Sequence, residues 1–184
     1  SARALRVDLS FLSDDDILAA RSQAEGMGRA HAFNQFSAAE HLKAAADAEA
    51  RGNYDSAMRF TGAALTLTDS GADWAEYARL LLLTANSDSN NRRALQVRAV
   101  RASVNAYLRT APAAARHNIL VTMGTGLEAI GRGRDTVGAL RLAQALQSRD
   151  DTAALLDDAI GKYGFRILEN DLQADSIRPR LCVS

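Results

Sequence analysis

The chain is short of aromatics, proline, cysteine and net charge, and each shortage closes off a class of protein. Aromatic residues are 5% of its 184 residues, while 47% are apolar and alanine carries much of that count. Only two prolines are present, so little interrupts a helix. Cys182 stands alone, which rules out an internal disulfide and a thiolate metal site. Lys plus Arg and Asp plus Glu number 22 each, so no global charge draws the chain to nucleic acid or to an anionic membrane. The longest leucine run, positions 80 to 83, has charges close by and falls far short of the roughly 20 apolar residues of a membrane span. The opening SARALRVDLS lacks the apolar core of a signal peptide. An alanine-rich, proline-poor sequence of this length favours helices packed closely through small side chains around one sizeable core.

Helix starts and stripes can be read along most of the chain. Ser13 followed by Asp14, Asp15 and Asp16 marks an N-terminus, and the helix it opens carries Ile17, Leu18, Ala20 and Ala24 before Gly26–Gly28. Helices are expected at about 37–51 and 55–67, and Ser70 with Asp73 caps another over 72–85. The polar SDSNNRR is read as a loop, and Val97, Val100, Val104, Tyr107 and Leu108 give 95–109 a helical face. After Pro112 come helices at about 114–130, 135–147 and 152–160. Beyond Gly161 the helical stripe stops, and Phe165–Leu168 and Leu181–Val183 are β-prone. A lone strand has no ladder partner, so the chain reads as a helical domain, 1–161, followed by a β-prone segment, 162–184, that looks like the beginning of a truncated β structure.

One stretch, RGNYDSAMRFTGAALTL at 51–67, suggests a repeat. Two helices joined by a tight Gly-Asn turn need small residues where their axes come closest. Ala45, Ala57 and Ala64 supply them, Gly52 sits in the turn, and Tyr54 and Phe60 are the aromatics; the unit resembles the 34-residue tetratricopeptide repeat. A second unit begins at Trp74 with Ala78, Ala99 and Ala106, and holds about nine extra residues, assigned to the SDSNNRR loop. A third is read as Gly126, Gly138 and Ala145, each 81 residues beyond its counterpart, with Gly133 in the turn. The expected fold is all-α, a tetratricopeptide-like superhelix of antiparallel helix pairs with a short β-prone C-terminal segment.

No reaction can be read from the residues. GTGLEAIG at 124–131 lacks both a preceding strand and the Gly-Lys-Ser/Thr ending of a phosphate loop. His31, His41 and His117 are scattered, which fits exposed or half-buried histidines better than a metal site. Asp14–Asp16 and Asp157–Asp158 fit helix caps and a solvated face, and there is no GxSxG turn. Catalytic, cofactor and metal residues are therefore expected to be none. Six arginines and no acid lie between Asn90 and Leu127 (Arg92, Arg93, Arg98, Arg101, Arg109, Arg116). A solvated helix face, or pairing inside the superhelix, accounts for them more simply than nucleic-acid binding.

Helical repeats bind partners on the concave face lined by each first helix. That face would include Leu42, Ala46, Arg79, Leu82, Leu83, Leu120, Met123, Leu127 and Ile130. It lacks the cations needed to clamp a peptide carboxylate, and an apolar groove so wide is seldom left open to water. A cover is expected, either the 152–160 or 14–25 helix of the chain itself or a partner helix.

The C-terminal stretch KYGFRILENDLQADSIRPRLCVS resembles the passage of bacterial α2-macroglobulin-like proteins from a helical N-terminal region into their first β-sandwich domain. Pro179, Arg180, Cys182 and Val183 match the line that opens that sandwich, and the helical part is similar to the tetratricopeptide-like region before it. The resemblance implies a large periplasmic endopeptidase inhibitor, anchored at the inner membrane through a part outside these residues. Neither the family's thioester motif nor a bait region has a counterpart here. The role implied for this region is a non-catalytic scaffold with protein partners, either other domains of the same chain or a partner helix or peptide. It implies no nucleic acid, no cofactor and no membrane insertion. The competing reading is a free-standing tetratricopeptide adaptor.

Overall fold

The first three helices begin where a polar side chain meets the first free amides. A computed structural model describes residues 37–164, and among them it has seven helices and no strand. They are α1 (Ala38–Ala50), α2 (Tyr54–Thr68), α3 (Gly71–Ser87), α4 (Arg92–Leu108), α5 (Ala113–Ala129), α6 (Gly133–Leu146) and α7 (Asp150–Tyr163). The expected 14–25 helix, His31 and the β-prone segments with Pro179, Arg180, Cys182 and Val183 lie outside the described residues.

Ser37 and Glu40 form a reciprocal capping box on α1, each side chain holding the other's backbone N–H. The Asn53 side chain accepts from the Ser56 amide at the start of α2, and Ser70 Oγ from the Asp73 amide at the start of α3. Three-residue turns, 51–53 and 130–132, join α1 to α2 and α5 to α6, so these helices pack antiparallel. In each turn a glycine takes the left-handed conformation that side chains resist, Gly52 at φ 72° and Gly131 at φ 82°. Each helix packs against the next in sequence, giving three pairs, α1–α2, α3–α4 and α5–α6, and a single closing helix. The expected all-helical stack of pairs is what forms.

The small-residue contacts hold in the first two pairs. Ala45, Ala57, Ala64, Ala78, Ala99 and Ala106 are all buried. The third pair is two residues out of the expected phase. Gly131 N–H bonds to Glu128 and Arg132 N–H to Leu127, as Gly52 N–H does to Glu49 and Asn53 N–H to Ala48. Matching the turns this way makes Gly124, Thr136 and Ala143 the counterparts of Ala45, Ala57 and Ala64. Gly124 does face α6, where a Cβ would lie 3.5 Å from Leu140, whereas a Cβ on Gly126 would lie 2.8 Å from Val100 of the preceding pair. Gly133, expected in the turn, is instead the first residue of α6 under the ring of Tyr163, and Ala145 is exposed. With four glycines between 124 and 133, several phases offer a small residue, and only the turn geometry distinguishes them.

The nine extra residues of the second pair do not form a long loop. Measured from the small-residue contacts, α3 runs four residues further than α1, α4 starts four residues earlier than α2, and the loop gains one. The middle hairpin therefore projects by one helical turn, about 6 Å, beyond both neighbours. Arginines from this hairpin tie down its surroundings: Arg92 donates to the Ala85 carbonyl and Arg93 to that of Ile130, just past the last turn of α5. Neither α3 nor α5 has a basic residue in its own last turn, so these guanidiniums meet carbonyls the helices leave open.

Among the described residues, the first and last helices are polar on the side turned away from their neighbours. Positions that bury Asp73, Tyr77 and Leu80 in α3, and Ile119, Met123 and Gly126 in α5, hold Glu40, Ala44 and Asp47 in α1, where both acids are exposed. At the other end α7 turns one stripe inward (Thr152, Leu156, Ala159, Ile160, Tyr163) onto Val137 and Leu140 of α6 and Val121 of α5. Its opposite side is mostly charged, with Leu155 its one large exposed apolar residue.

Candidate functional site

A groove of about 560 Å³ runs between the first helices of the second and third pairs. Its floor is small: Gly71, Ala72 and Ala75 of α3, Ala115 of α5, and the turn Thr110–Ala111–Pro112, with Ile119 and Thr122 further along. Glu76, Arg79, Asn118 and Arg109 stand along its edges. Gly71 is fitted tightly at the mouth, since a Cβ there would come within 3.0 Å of the Arg109 carbonyl group. Small residues make up most of the floor, and Leu80, Leu120 and Met123 of the same two helices are fully buried in the core.

The polar rim is already bonded. Arg79 bridges Glu76 and Glu49, its Nη2 reaching Glu49 at 2.6 Å, and these two acids raise its guanidinium further above the usual arginine range. Arg79 in turn holds the Glu49 carboxyl below the usual carboxylate value. Asn118 accepts from Arg149 at 2.6 Å, and Arg109 pairs with Asp69 at 3.2 Å. The Glu49 bond is present above the unfolded pKa of about 4.3 and is lost as pH falls through the lower folded value. The pair is part-exposed, so less than about 1 kcal/mol is at stake. Arg79→Leu should therefore flatten the acid limb of a stability profile measured by urea unfolding from about pH 6 to about pH 3.

Of the residues expected on the concave face, Arg79 alone lines this groove. Leu120, Met123 and Leu127 are fully buried and Ile130 nearly so, while Leu82 and Leu83 are half-buried against the same core. Leu42 is half-buried and Ala46 exposed on α1. The expected wide apolar groove does not exist as a surface, because neighbouring pairs of the stack close over those leucines. The cover is not the 152–160 region either: α7 stacks on α6 as the next helix in line. A helix flanked on both sides is apolar over most of its circumference, and that breadth resembles a binding stripe when read from sequence. The groove that is present is made of alanines, whose spacing carries no signal in an alanine-rich chain.

The arginine run is likewise used internally. Arg109 donates to the Asn105 carbonyl and lies 5.7 Å from the Trp74 ring centroid. Arg116 donates to the Thr110 carbonyl and stacks 4.6 Å over Tyr107. The histidines depart from expectation, since His41 and His117 are both buried. His117 bridges three helices, donating through Nδ1 to the Ala143 carbonyl at 2.9 Å and accepting at Nε2 from the Thr152 hydroxyl at 2.8 Å. A carbonyl only accepts, which fixes the tautomer. Among the described residues no three His, Cys, Asp or Glu side chains converge as a metal site, and no helix is long and apolar enough to cross a membrane.

The described residues define a class before anything else does: a stack of helix pairs with a groove between its second and third pairs. No protein-family model, curated protein or solved structure matches the chain.

Proposed function

We propose that this helical region is a non-catalytic protein-interaction scaffold whose α3–α5 groove takes a helix or peptide. The observation that carries the reading is the groove itself, an alanine floor between edges whose charges are already paired. Such a floor favours an apolar knob over a charged one, because a charged ligand would have to displace Glu49, Glu76 or Asp69 from its arginine. We further propose that the scaffold serves a bacterial α2-macroglobulin-like protease inhibitor in the periplasm, spacing or docking its other domains. The resemblance at Pro179, Arg180, Cys182 and Val183 supports this, and the polar outer face of α7 suits a helical stack followed by a separate body.

A photo-crosslinking amino acid placed at Ala75 or Ala115 in cells should trap one defined protein or domain. The same probe at exposed Lys43 should not. Equal labelling from all three positions, or none from the groove, overturns the scaffold reading. Immunoblotting of fractionated cells tests the second part: a membrane-associated or periplasmic band several times heavier than 19.7 kDa is expected. A cytosolic band near that mass would favour the free-standing adaptor.

A further inference from the structure

We propose that the notch between the start of α2 and the end of α3 takes an arginine side chain of a partner protein, held by Asp55, Asp88 and Thr84 against Tyr54. The inference goes beyond the α3–α5 groove. The notch lies about 15 Å further along α3, and it stands or falls separately.

Unlike the groove, the notch is polar and of one sign. It encloses about 290 Å³, and its lining carries two carboxylates, Asp55 and Asp88, and no basic residue. One wall is the end of α3, a helix without a cation in its last turn, so the negative end of its dipole adds to those charges. Arg92 meets one carbonyl of that turn, Ala85, and does not line the notch. The positive end of α2 on the facing wall is offset by Asn53, which accepts from the Ser56 amide, and by Asp55 itself.

Neither carboxylate is used up. Asp55 pairs with Arg59 at 2.9 Å, but each side chain is 53% exposed, and such a pair holds weakly. Asp88 accepts the Asn90 and Asn91 amides on Oδ1 and the Asn91 side chain on Oδ2, which leaves Oδ2 free to accept again. These N–H groups, the Asn91 side chain foremost, hold its carboxyl below the usual carboxylate value.

Thr84 points to a ligand. It lines the notch, is 7% exposed, and its buried hydroxyl has no hydrogen-bond partner. The other threonines of the described helices all place theirs. Thr61, Thr68, Thr122 and Thr125 donate to the carbonyl four residues back, Thr66 to that of Ala63, Thr136 to that of Gly124, and Thr152 to His117. A buried hydroxyl left over beside two carboxylates is what an incoming N–H donor would satisfy.

A guanidinium suits this set better than an ammonium or a metal ion. Its five donors lie in one plane, so it reaches carboxylates and a hydroxyl together while its face rests on an aromatic ring. Tyr54, half-buried against the core, offers that ring. An ammonium is a compact, strongly hydrated charge that gives up more water on entry. Among the described residues no three metal-ligating side chains converge.

Nitrogen-15 NMR titration of the full chain with N-acetyl-arginine-N-methylamide, at constant ionic strength, tests this. Saturable shifts are expected at the amides of Gly52, Tyr54, Thr84 and Ser87, with a dissociation constant on the order of 1 mM. The citrulline counterpart, alike in shape and uncharged, should bind at least about tenfold more weakly, and the lysine counterpart about threefold. Asp88→Asn keeps an oxygen for the Asn90 and Asn91 amides and should weaken arginine binding about fivefold. Thr84→Val should weaken it about threefold while leaving the urea midpoint unchanged or higher, since an unpaired hydroxyl adds nothing to the fold. Equal shifts from arginine and citrulline, saturation at the acids of α7 instead, or parent-like binding by both variants overturns the proposal. A lysine counterpart that binds as tightly overturns the choice of a guanidinium. A lowered urea midpoint in Thr84→Val also counts against it, because the hydroxyl is then committed within the fold. Crosslinking at Ala75 and Ala115 reads the groove alone, so failure here leaves that surface standing.

Discussion

Trp74→Ala should lower the free energy of unfolding by about 3–5 kcal/mol, the largest loss expected from any single side chain here. The ring is 1% exposed, stands edge-on to Tyr77 at 6.2 Å, and has the Arg109 guanidinium against one face. Its Nε1 donates to Asp69 at 2.9 Å. Asp69 is itself held in the left-handed region, at φ 46°, in the turn between α2 and α3. Removing the indole would therefore open a cavity at the junction of the first two pairs and release the carboxylate that also anchors Arg109. Trp74→Phe keeps a ring in the site and loses the N–H bond, so it should cost less than half as much. Urea unfolding followed by far-ultraviolet circular dichroism gives both values, since the chain has no other tryptophan to report by fluorescence. An alanine variant within about 1 kcal/mol of the parent would show that the surrounding helices collapse onto the gap.

His117→Ala should come next, at about 3–4 kcal/mol, with an effect concentrated on α7. The substitution leaves a cavity and strands the Ala143 carbonyl and the Thr152 hydroxyl inside the protein. Helix α7 has few other holds: a small cluster around Val137, Leu140 and Ala159, Tyr163 over Gly133 with its hydroxyl on Glu128, and an exposed Lys162–Glu128 pair. Amide exchange in 150–163 should thus approach that of an unfolded segment while α1 to α4 stay protected. Thr152→Val removes the other end of the same bond and should cost about 1–2 kcal/mol. The double variant should fall well short of the sum, because the shared hydrogen bond is lost only once. Additive losses would mean the two residues act separately.

Much of the fold is legible before any coordinates. Ser70 and Asp73 announce the start of α3, Gly52 and Asn53 announce the first turn, and the alanines at 45, 57, 64, 78, 99 and 106 fix where two pairs touch. What cannot be read is anything that depends on comparing equally good choices. The third pair offers glycine at several adjacent phases, and SDSNNRR is polar whether it forms a loop or the ends of two exposed helices. The site suffers from the same ambiguity. Leu120, Met123 and Leu127 look like a surface stripe because periodicity reports which side of a helix is apolar and not what lies against it. Arg93 and Arg116 look like free positive charge because the carbonyls they serve are 37 and 6 residues away and leave no mark in the side chains.

The one-turn overhang of the middle hairpin makes the two ends of the stack mechanically unlike. Three equal pairs would present a level edge, along which a flat neighbour could slide from one position to the next at little cost. Here a rigid body arriving at the 88–91 side meets that tip first. There Asp88 takes the amides of Asn90 and Asn91 and stiffens the bend, and a notch lined by Gly52, Tyr54, Thr84 and Asp88 lies on the α1–α2 side. Contact at that end is keyed to a single alignment, much as a tooth admits one seating in a lock.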